Sequence, residues 1–316
     1  MASWIPESAS NLAKNVDNIT LFVTLLSVFF FVLISVFLVA FSIKYRRKSE
    51  NQETAYITGN ELIEIIWTVI PTILLMVIFA WGYLAFRDLK HPPADALEIN
   101  VTAKQWLWQF EYFNGKKSIN DMYVQKGRPV RLIMRSEDVI HSFFVPQFRV
   151  KQDVLPVNYS QLWFTPTKTG TFDIYCAEYC GAGHSKMLGK VNVLSPEAYT
   201  RWERGDELGT QGGESAASSL PPAERGKNLY TQRGCNACHS LDGSKGVGPT
   251  FKGLFGREEK LADGSKVIVD ENYIQESIYI PQAKMVEGYA PVMPAFKGIL
   301  SDDEVSAIIE FIKTQK

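Results

Sequence analysis

The sequence predicts a multi-domain chain composed of a two-helix membrane hairpin, an all-β sandwich and a helical C-terminal domain. Three observations predict this division. Two long apolar runs lie near the N-terminus, short alternating segments follow them, and helix-like segments over residues 223–230 and 302–314 bound the last third. The 316 residues suffice for two ordinary domains and additional segments. A formal net charge of −1 provides no basic field, so nucleic-acid binding is not expected.

Two apolar segments predict the membrane hairpin. Residues 19–43 are mostly Leu, Val, Phe and Ile without a charge, and they exceed the roughly 20 residues that cross a bilayer core. A second span is expected over residues 65–86. Four basic residues within 44–48 mark the cytoplasmic end of the first span, so both ends of the hairpin are expected outside the cytoplasm.

Short alternating segments between residues 97 and 194 predict an antiparallel sandwich, because turn signals separate them and no helical period competes. The clearest are residues 97–101, 130–134, 171–175 and 189–193. Residues 105–112 are expected to form a strand that carries four aromatic side chains on one face: Trp106, Trp108, Phe110 and Tyr112.

The densest group of soft metal ligands lies within twelve residues of the chain. It consists of Cys176, Cys180, His184 and Met187. Thiolates and imidazole suit copper, and a long methionine contact is typical of copper electron-transfer sites. His141 is the expected supplier of a second imidazole.

Two other interpretations of this group are possible. A disulfide between Cys176 and Cys180 would leave His184 and Met187 unexplained. Structural zinc sites usually use only cysteine and histidine. All four cysteines of the chain lie in two short motifs, so none remains for a separate structural disulfide. Copper is therefore the favoured interpretation.

The C-terminal region contains a haem-attachment motif. Cys235-Asn-Ala-Cys238-His239 has the c-type spacing, in which two thiols bind the porphyrin covalently and the adjacent histidine can ligate the iron. An electron carrier needs a second axial ligand, and methionine or histidine can provide it. No histidine follows residue 239, so Met285 and Met293 are the candidates.

Neighbouring segments favour haem over a chance match or a redox-active cysteine pair. Residues 246–249 read Gly-Val-Gly-Pro, and Met293 stands within Pro291-Val-Met-Pro, shortly before the terminal amphipathic helix. This arrangement resembles class I cytochrome c, in which the methionine loop precedes the last helix. The resemblance favours Met293 over Met285.

The copper motif carries a second family resemblance. Its Cys-x-Glu-x-Cys-Gly-x-x-His-x-x-Met spacing, with an upstream His-Ser-Phe, resembles the dinuclear copper centre of subunit II of haem–copper cytochrome c oxidases. The fused C-terminal domain resembles that of the caa3 type. The resemblance implies that two copper ions share two bridging thiolates and are held by His141, Cys176, the carbonyl of Glu178, Cys180, His184 and Met187. The side chain of Glu178 also matches a position that binds magnesium at the junction with subunit I.

Two further residues acquire expected roles from this resemblance. Trp106 matches the residue that receives electrons from cytochrome c, whereas packing in the aromatic stripe is its alternative role. Glu64 matches a position at the mouth of a proton path, whereas a solvated carboxylate at a helix start is the alternative. The resemblance also implies a cupredoxin fold for the sandwich and an all-α class I cytochrome c fold for the last domain.

The function implied is that of the electron-entry subunit of a proton-translocating cytochrome c oxidase. Electrons from an external donor, periplasmic or membrane-bound, such as a cytochrome c, would reach haem c, pass to copper and continue to the haem–copper subunit I, where oxygen becomes water. Subunits I and III are the implied partners. The implied location is the bacterial inner membrane, with both redox domains on the extracytoplasmic side.

The expected boundaries follow from the composition and the resemblance together, and a Gly- and Ser-rich stretch marks the linker. The expected parts are an extracytoplasmic segment over 1–17, the hairpin over 18–88, the copper domain over 89–204, the linker over 205–222 and the cytochrome c domain over 223–316.

Other proteins share parts of this pattern. Nitrous oxide reductase has the same copper motif, but four histidines are too few for its additional copper cluster. The copper-containing subunit of a nitric oxide reductase is an alternative. So is a membrane-anchored electron carrier or copper-delivery module without an enzyme partner, although one anchor would suffice for it. A quinol oxidase subunit is disfavoured because that branch lacks the copper ligands.

Overall fold

The structure is a computed structural model that divides into two compact units, residues 12–92 and residues 1–11 with 93–316. Most of the expected linker, 206–219, lies outside the described residues. The described residues are 5–53, 56, 58–205 and 220–316.

Two long helices form the smaller unit, α1 (Ala13–Lys44) and α2 (Glu61–Lys90). Both are long and apolar enough to cross a membrane, which confirms the two predicted apolar helices. Each helix is longer than its apolar run because polar residues extend it at the ends. The indole nitrogen of Trp81 donates to Asn15 Oδ1 at 3.0 Å and joins the two helices.

The N-terminus of α2 explains why this helix begins before its apolar run. The side chain of Asn60 accepts a hydrogen bond from the Ile63 amide and caps the helix. Glu61 and Glu64 lie in the first turn, where the helix dipole favours negative charge.

Ten strands form two five-stranded sheets of the predicted sandwich, in the orders β3-β2-β1-β5-β8 and β4-β10-β9-β6-β7. Most pairs are antiparallel, as predicted, but β1 with β5 and β4 with β10 are parallel, because the chain crosses between sheets before it returns. The strands are β1 (Leu97–Lys104), β2 (Leu107–Tyr112), β3 (Lys117–Ile119), β4 (Asp121–Gln125), β5 (Val130–Ser136), β6 (His141–Val145), β7 (Val150–Val154), β8 (Ser160–Phe164), β9 (Gly170–Cys176) and β10 (Leu188–Leu194).

The aromatic stripe differs in one position from the prediction. Trp108, Phe110 and Tyr112 alternate along β2 and are buried in the sandwich core, as expected for one strand face. The strand begins at Leu107, so Trp106 lies in the turn between β1 and β2. Trp106 is thereby free to face a different neighbour from the rest of the stripe.

The C-terminal region is helical, as predicted, with one small hairpin inserted. Gly226 on the first of its helices has no space for a side chain, since a Cβ there would lie 2.0 Å from the carbonyl oxygen of Ala307 on the last helix. A capping box of Ser301 and Glu304 starts that last helix. The elements after β10 are α3 (Pro196–Arg204), α4 (Pro222–Gln232), β11 (Glu258–Lys260), β12 (Lys266–Ile268), α5 (Glu271–Tyr279) and α6 (Asp302–Lys313).

Candidate copper and haem sites

The strand framework brings the predicted copper ligands together. His141 begins β6 and Cys176 ends β9, and these strands pair with Phe143 opposite Cys176. Cys180 follows in the loop between β9 and β10. One ligand atom from each of His141, Cys176 and Cys180 lies within 4.8 Å of the others. The Nδ1 of His184 lies 3.5 Å from Cys180 Sγ.

The two thiols are not joined. The Sγ atoms of Cys176 and Cys180 are 3.7 Å apart, whereas an S–S bond measures about 2.05 Å. Both thiols are therefore available as ligands, and the disulfide interpretation is wrong for this arrangement.

Two weaker ligand atoms complete the group. The buried thioether of Met187 lies 3.9 Å from Cys180 Sγ, and the carbonyl oxygen of Glu178 lies 3.2 Å from Cys176 Sγ. The carboxylate side of Glu178 is exposed. A set of two thiolates, two imidazoles, a thioether and a carbonyl fits copper better than zinc, which rarely takes a thioether.

A buried hydrogen-bond network orients His141. Its ring is fully buried, and Nε2 lies 2.8 Å from Asp138 Oδ1, which leaves Nδ1 facing Cys176 Sγ at 3.9 Å. Asp138 also accepts hydrogen bonds from the amides of Gln105 and Val139. Carboxylate partners of this kind fix the orientation of ligating histidines.

This network also sets the ionisation of its members. Burial opposes the charge on Asp138, but the hydrogen bonds from Gln105, His141 and Val139 outweigh it and lower the pKa of that carboxyl. Burial likewise opposes the charge on His141, but its contacts with Cys176 and Asp138 raise the pKa of the imidazole.

The two thiols ionise unequally. Burial resists ionisation of Cys176, yet its hydrogen bonds with His141 and with backbone groups lower its pKa to about 6. Burial and the negative charge of Cys176 raise the pKa of Cys180. The site therefore favours the thiolate form of Cys176 over that of Cys180, and a bound cation would favour ionisation of both thiols.

A large apolar cleft surrounds the haem-attachment motif. It contains about 1420 Å³ of space free of protein atoms, part of it open to solvent. Both methionine candidates line it, and Met293 also packs against the apolar core of the C-terminal region. The predicted residues that the cleft brings together are Cys235, Cys238, His239, Met285 and Met293. An apolar cleft with two thiols and an imidazole suits a covalently bound porphyrin.

The orientation of His239 is fixed. Its Nδ1 donates to the carbonyl oxygen of Pro249 at 2.7 Å, and the ring stacks on Phe251 at 4.6 Å. Burial lowers the pKa of this imidazole and favours its neutral form, so Nε2 retains the lone pair that an iron ligand needs. Gly248 lies against the ring, since a Cβ there would be 2.5 Å from it.

Trp106 lies between the two sites. Its indole nitrogen donates to the carbonyl oxygen of Cys180 at 3.1 Å, and the ring is only 6% exposed. A Cβ on Gly183 would lie 2.3 Å from this ring, so the loop with the copper ligands packs directly on it. The same tryptophan lines the cleft that contains Cys235.

Sequence reasoning missed Asp138 and Gln105. An acidic residue three positions before the expected ligand His141 was the available signal for Asp138, whereas no signal marked Gln105, whose amide and side chain contact Asp138 and Cys180. Glu64 lies exposed in the first turn of α2 in the smaller unit, and its role stays a prediction.

Comparison with known proteins assigns the chain to a family. The sequence family described as "Cytochrome C oxidase subunit II, transmembrane domain" matches residues 1–83. That described as "Cytochrome C oxidase subunit II, periplasmic domain" matches residues 117–193, and "Cytochrome c" matches residues 223–316.

Full-length relatives have the same description. Cytochrome c oxidase subunit 2 of Alkalihalophilus pseudofirmus is 31% identical over 309 residues, which cover 95% of this chain and 86% of the relative. The Bacillus subtilis protein is 28% identical over 300 residues, which cover 87% of this chain and 81% of the relative. The solved periplasmic domain of subunit II from Bradyrhizobium japonicum is 30% identical, with a TM-score of 0.35, and covers 37% of this chain and 97% of that domain.

These matches account for all three predicted parts, the apolar helices, the cupredoxin-like sandwich and the helical C-terminal region. They imply copper and haem binding, association with a membrane and partnership with subunit I of a haem–copper oxidase. The chain belongs to the cytochrome c oxidase subunit II family and carries a cytochrome c domain at its C-terminus.

Proposed function

We propose that this chain is the electron-entry subunit of a caa3-type cytochrome c oxidase. Electrons enter at haem c in the C-terminal domain, pass to a dinuclear copper centre and continue to subunit I, which reduces oxygen to water and translocates protons. When bound, the haem iron and the copper pair each exchange one electron, and no bond is made or broken. Every other role belongs to residues of this chain.

The copper-binding residues provide a site that changes little during electron transfer. The thiolates of Cys176 and Cys180 and the imidazoles of His141 and His184 would hold the two copper ions. Met187 and the carbonyl of Glu178 would contribute weaker ligands. The support is their convergence around two unjoined thiols, together with the Asp138 carboxylate that holds His141 in position.

The haem-binding residues likewise hold their cofactor in a fixed position. Cys235 and Cys238 would hold the porphyrin covalently, and His239, through Nε2, and Met293 would ligate the iron. The hydrogen bond from His239 to Pro249 supports this assignment because it directs Nε2 into the cleft. Met293 is preferred to Met285 because it packs against the apolar core that closes the cleft.

The observation that carries the proposal is the position of Trp106. This side chain lines the haem cleft on one side and donates to the backbone of Cys180 on the other. The aromatic ring of Trp106 thereby borders both cofactor sites directly. We assign to Trp106 the passage of electrons from haem to copper.

The remaining assignments concern the surroundings of the two sites. The haem and copper domains face the extracytoplasmic side of the bacterial inner membrane, with boundaries at residues 18–88, 89–204 and 223–316 and a linker between the last two. Subunit III and a periplasmic or membrane-bound donor, such as a cytochrome c, are the other partners. Glu64 opens a proton path into subunit I, and the exposed carboxylate of Glu178 contributes to a magnesium site completed by subunit I.

Spectra and turnover of the complex purified from membranes test the proposal. We expect the optical spectrum to contain a c-type haem absorption and a near-infrared copper band. The paramagnetic resonance spectrum should show an electron shared between two copper ions. The complex should retain subunit I and take up oxygen. Elemental analysis that finds no copper in active complex would overturn it. Consumption of nitric oxide in place of oxygen would assign the chain to a nitric oxide reductase instead.

A further inference from the structure

One arginine joins the C-terminal region to the sandwich next to the haem-attachment motif. Arg233 follows α4 and precedes Cys235 by two residues. Its Nη1 donates to Asp121 Oδ2 at 2.7 Å, and its Nη2 donates to Glu304 Oε1 at 2.7 Å. Asp121 begins β4 of the sandwich, whereas Glu304 lies in the first turn of α6.

This ion-pair triad is shielded from solvent. The side chains of Arg233, Asp121 and Glu304 are 14%, 18% and 25% exposed. Charges in such surroundings are weakly screened by salt, and loss of one partner leaves the others uncompensated. A planar guanidinium can serve two carboxylates at fixed angles, which a lysine ammonium cannot reproduce.

Further contacts surround the triad and form, with it, an interdomain seam. Lys186, from the loop with the copper ligands, donates to the carbonyl of Asn236 between the two haem cysteines at 3.1 Å. Gly234 has a φ of 78°, and a Cβ on it would lie 2.7 Å from Asn120 Nδ2. The seam consists of Asn120, Asp121 and Lys186 on the sandwich and Arg233, Gly234, Asn236 and Glu304 on the C-terminal region.

Apolar contact continues the seam on the cleft side. Leu107 and Ile119 of the sandwich belong to the same buried apolar cluster as Leu229, Phe296 and Ile308 of the C-terminal region. Apolar contact is non-directional and does not define one orientation by itself. The hydrogen bonds of the triad are directional. They hold the segment that carries the haem cysteines next to this cluster.

We propose that Arg233 is a positioning residue for electron transfer, which clamps the haem domain on the copper domain so that the attachment motif faces Trp106. The clamp rests on the proposed passage of one electron from haem to copper through Trp106. Such a transfer would oxidise the haem and reduce the copper centre by one electron, and the external donor would supply the electron that reduces the haem again. Arg233 takes no part in the electron transfer itself. It sets the fraction of chains in which the two domains are arranged so that transfer can occur.

The test compares seam variants in the purified full-length complex. Arg233→Met removes the cation that the carboxylates of Asp121 and Glu304 share. Asp121→Asn weakens the contact across the seam, together with a 3.4 Å contact from Asn192 inside the sandwich. Glu304→Gln weakens the contact within the haem domain, where Glu304 also accepts from the Ser301 amide. Arg225→Met is the matched control, because Arg225 donates to the carbonyl of Asp303 and links α4 to α6 without reaching the sandwich.

Two readouts are measured, the rate of haem-to-copper electron transfer after a light pulse and the iron–copper distance distribution from pulsed paramagnetic resonance. Since the observed rate scales with the competent fraction, we expect a loss of about tenfold in Arg233→Met. The distance distribution should broaden in parallel. Asp121→Asn should lose rate by a smaller factor, and Arg233→Lys should retain more of the rate than Arg233→Met.

The possible outcomes distinguish failure of the proposed clamp from failure of the proposed function. If Arg233→Met retains both metals, the wild-type rate and a narrow distance distribution, the clamp is wrong and the proposed function stands. An equal loss in Arg225→Met would also overturn the clamp, because it would reflect helix stability within the haem domain. If wild-type complex contains both metals but transfers no electron between them, the proposed function itself fails.

Discussion

The copper site and the haem cleft differ in how much of each exists before its cofactor binds. Four of the proposed copper ligands, His141, Cys176, Cys180 and Met187, are at most 8% exposed, and a hydrogen bond to Asp138 orients His141. The haem ligands are only partly buried and border a large apolar cleft. The proposed metal site of the sandwich thus lies on a complete core, whereas a haem in the cleft of the cytochrome region would become part of the core.

The strongest way to break this comparison is to prevent haem attachment. In the double variant Cys235→Ser and Cys238→Ser, we expect complete loss of covalent haem and digestion of the C-terminal region by protease, because the cleft remains unfilled. The near-infrared copper band should be unchanged. A protease-resistant C-terminal region without haem would show that the cleft does not depend on its cofactor.

Variants of the two candidate methionine ligands test the haem side of the comparison. Met293→Ala should convert the low-spin haem spectrum to a high-spin or differently ligated form, because iron loses its sixth ligand. The matched variant is Met285→Ala, which removes a thioether from the same cleft. Optical spectra of the two variants decide the assignment, and an unchanged spectrum in Met293→Ala would transfer it to Met285.

A variant without the charged partner of His141 tests whether the copper site is preorganised. Asp138→Asn retains the shape but loses the charge that orients the imidazole, so copper affinity should fall by about 10- to 100-fold. Asp153→Asn is the control, because Asp153 accepts from Ser142 on the neighbouring strand and does not contact His141. Competition with a copper chelator measures both, and equal affinities would contradict the assigned role.

The smallest effect on stability is expected at Trp106. Trp106→Phe removes the hydrogen bond to Cys180 and costs about 1 kcal/mol of unfolding free energy. Haem-to-copper transfer should slow while both metals remain bound. Gln105→Met removes the other donor to the same carbonyl and keeps the indole. Equal rates in wild type and Trp106→Phe would assign Trp106 to packing.

The sequence predicted features that depend on neighbouring residues. The candidate ligands between Cys176 and Met187 could be proposed because one loop carries them, and the candidate haem motif was recognisable because its residues are adjacent. The terminal helix, expected over 302–314 and observed over Asp302–Lys313, has a capping box and an apolar stripe within twelve residues. Local patterns of this kind are visible without the fold.

Features that join distant parts of the chain were not predictable. Arg233 contacts Asp121 across 112 positions, and Trp106, which lies outside β2, packs against the loop at Gly183. The hairpin of β11 and β12 has only three residues in each strand, too few for a periodic signal. Asp138 acquires its role only where β6 begins beside the turn after β1.

The apolar cluster shared by the two redox domains has a consequence for the evolution of the fusion. Ile119 ends β3, an edge strand, and is fully covered, while Leu107 is covered beside it. Deleting the cytochrome region would remove the apolar partners of both side chains, and apolar surface exposed in this way is prone to self-association. A shortened descendant would need polar replacements at these positions to stay soluble.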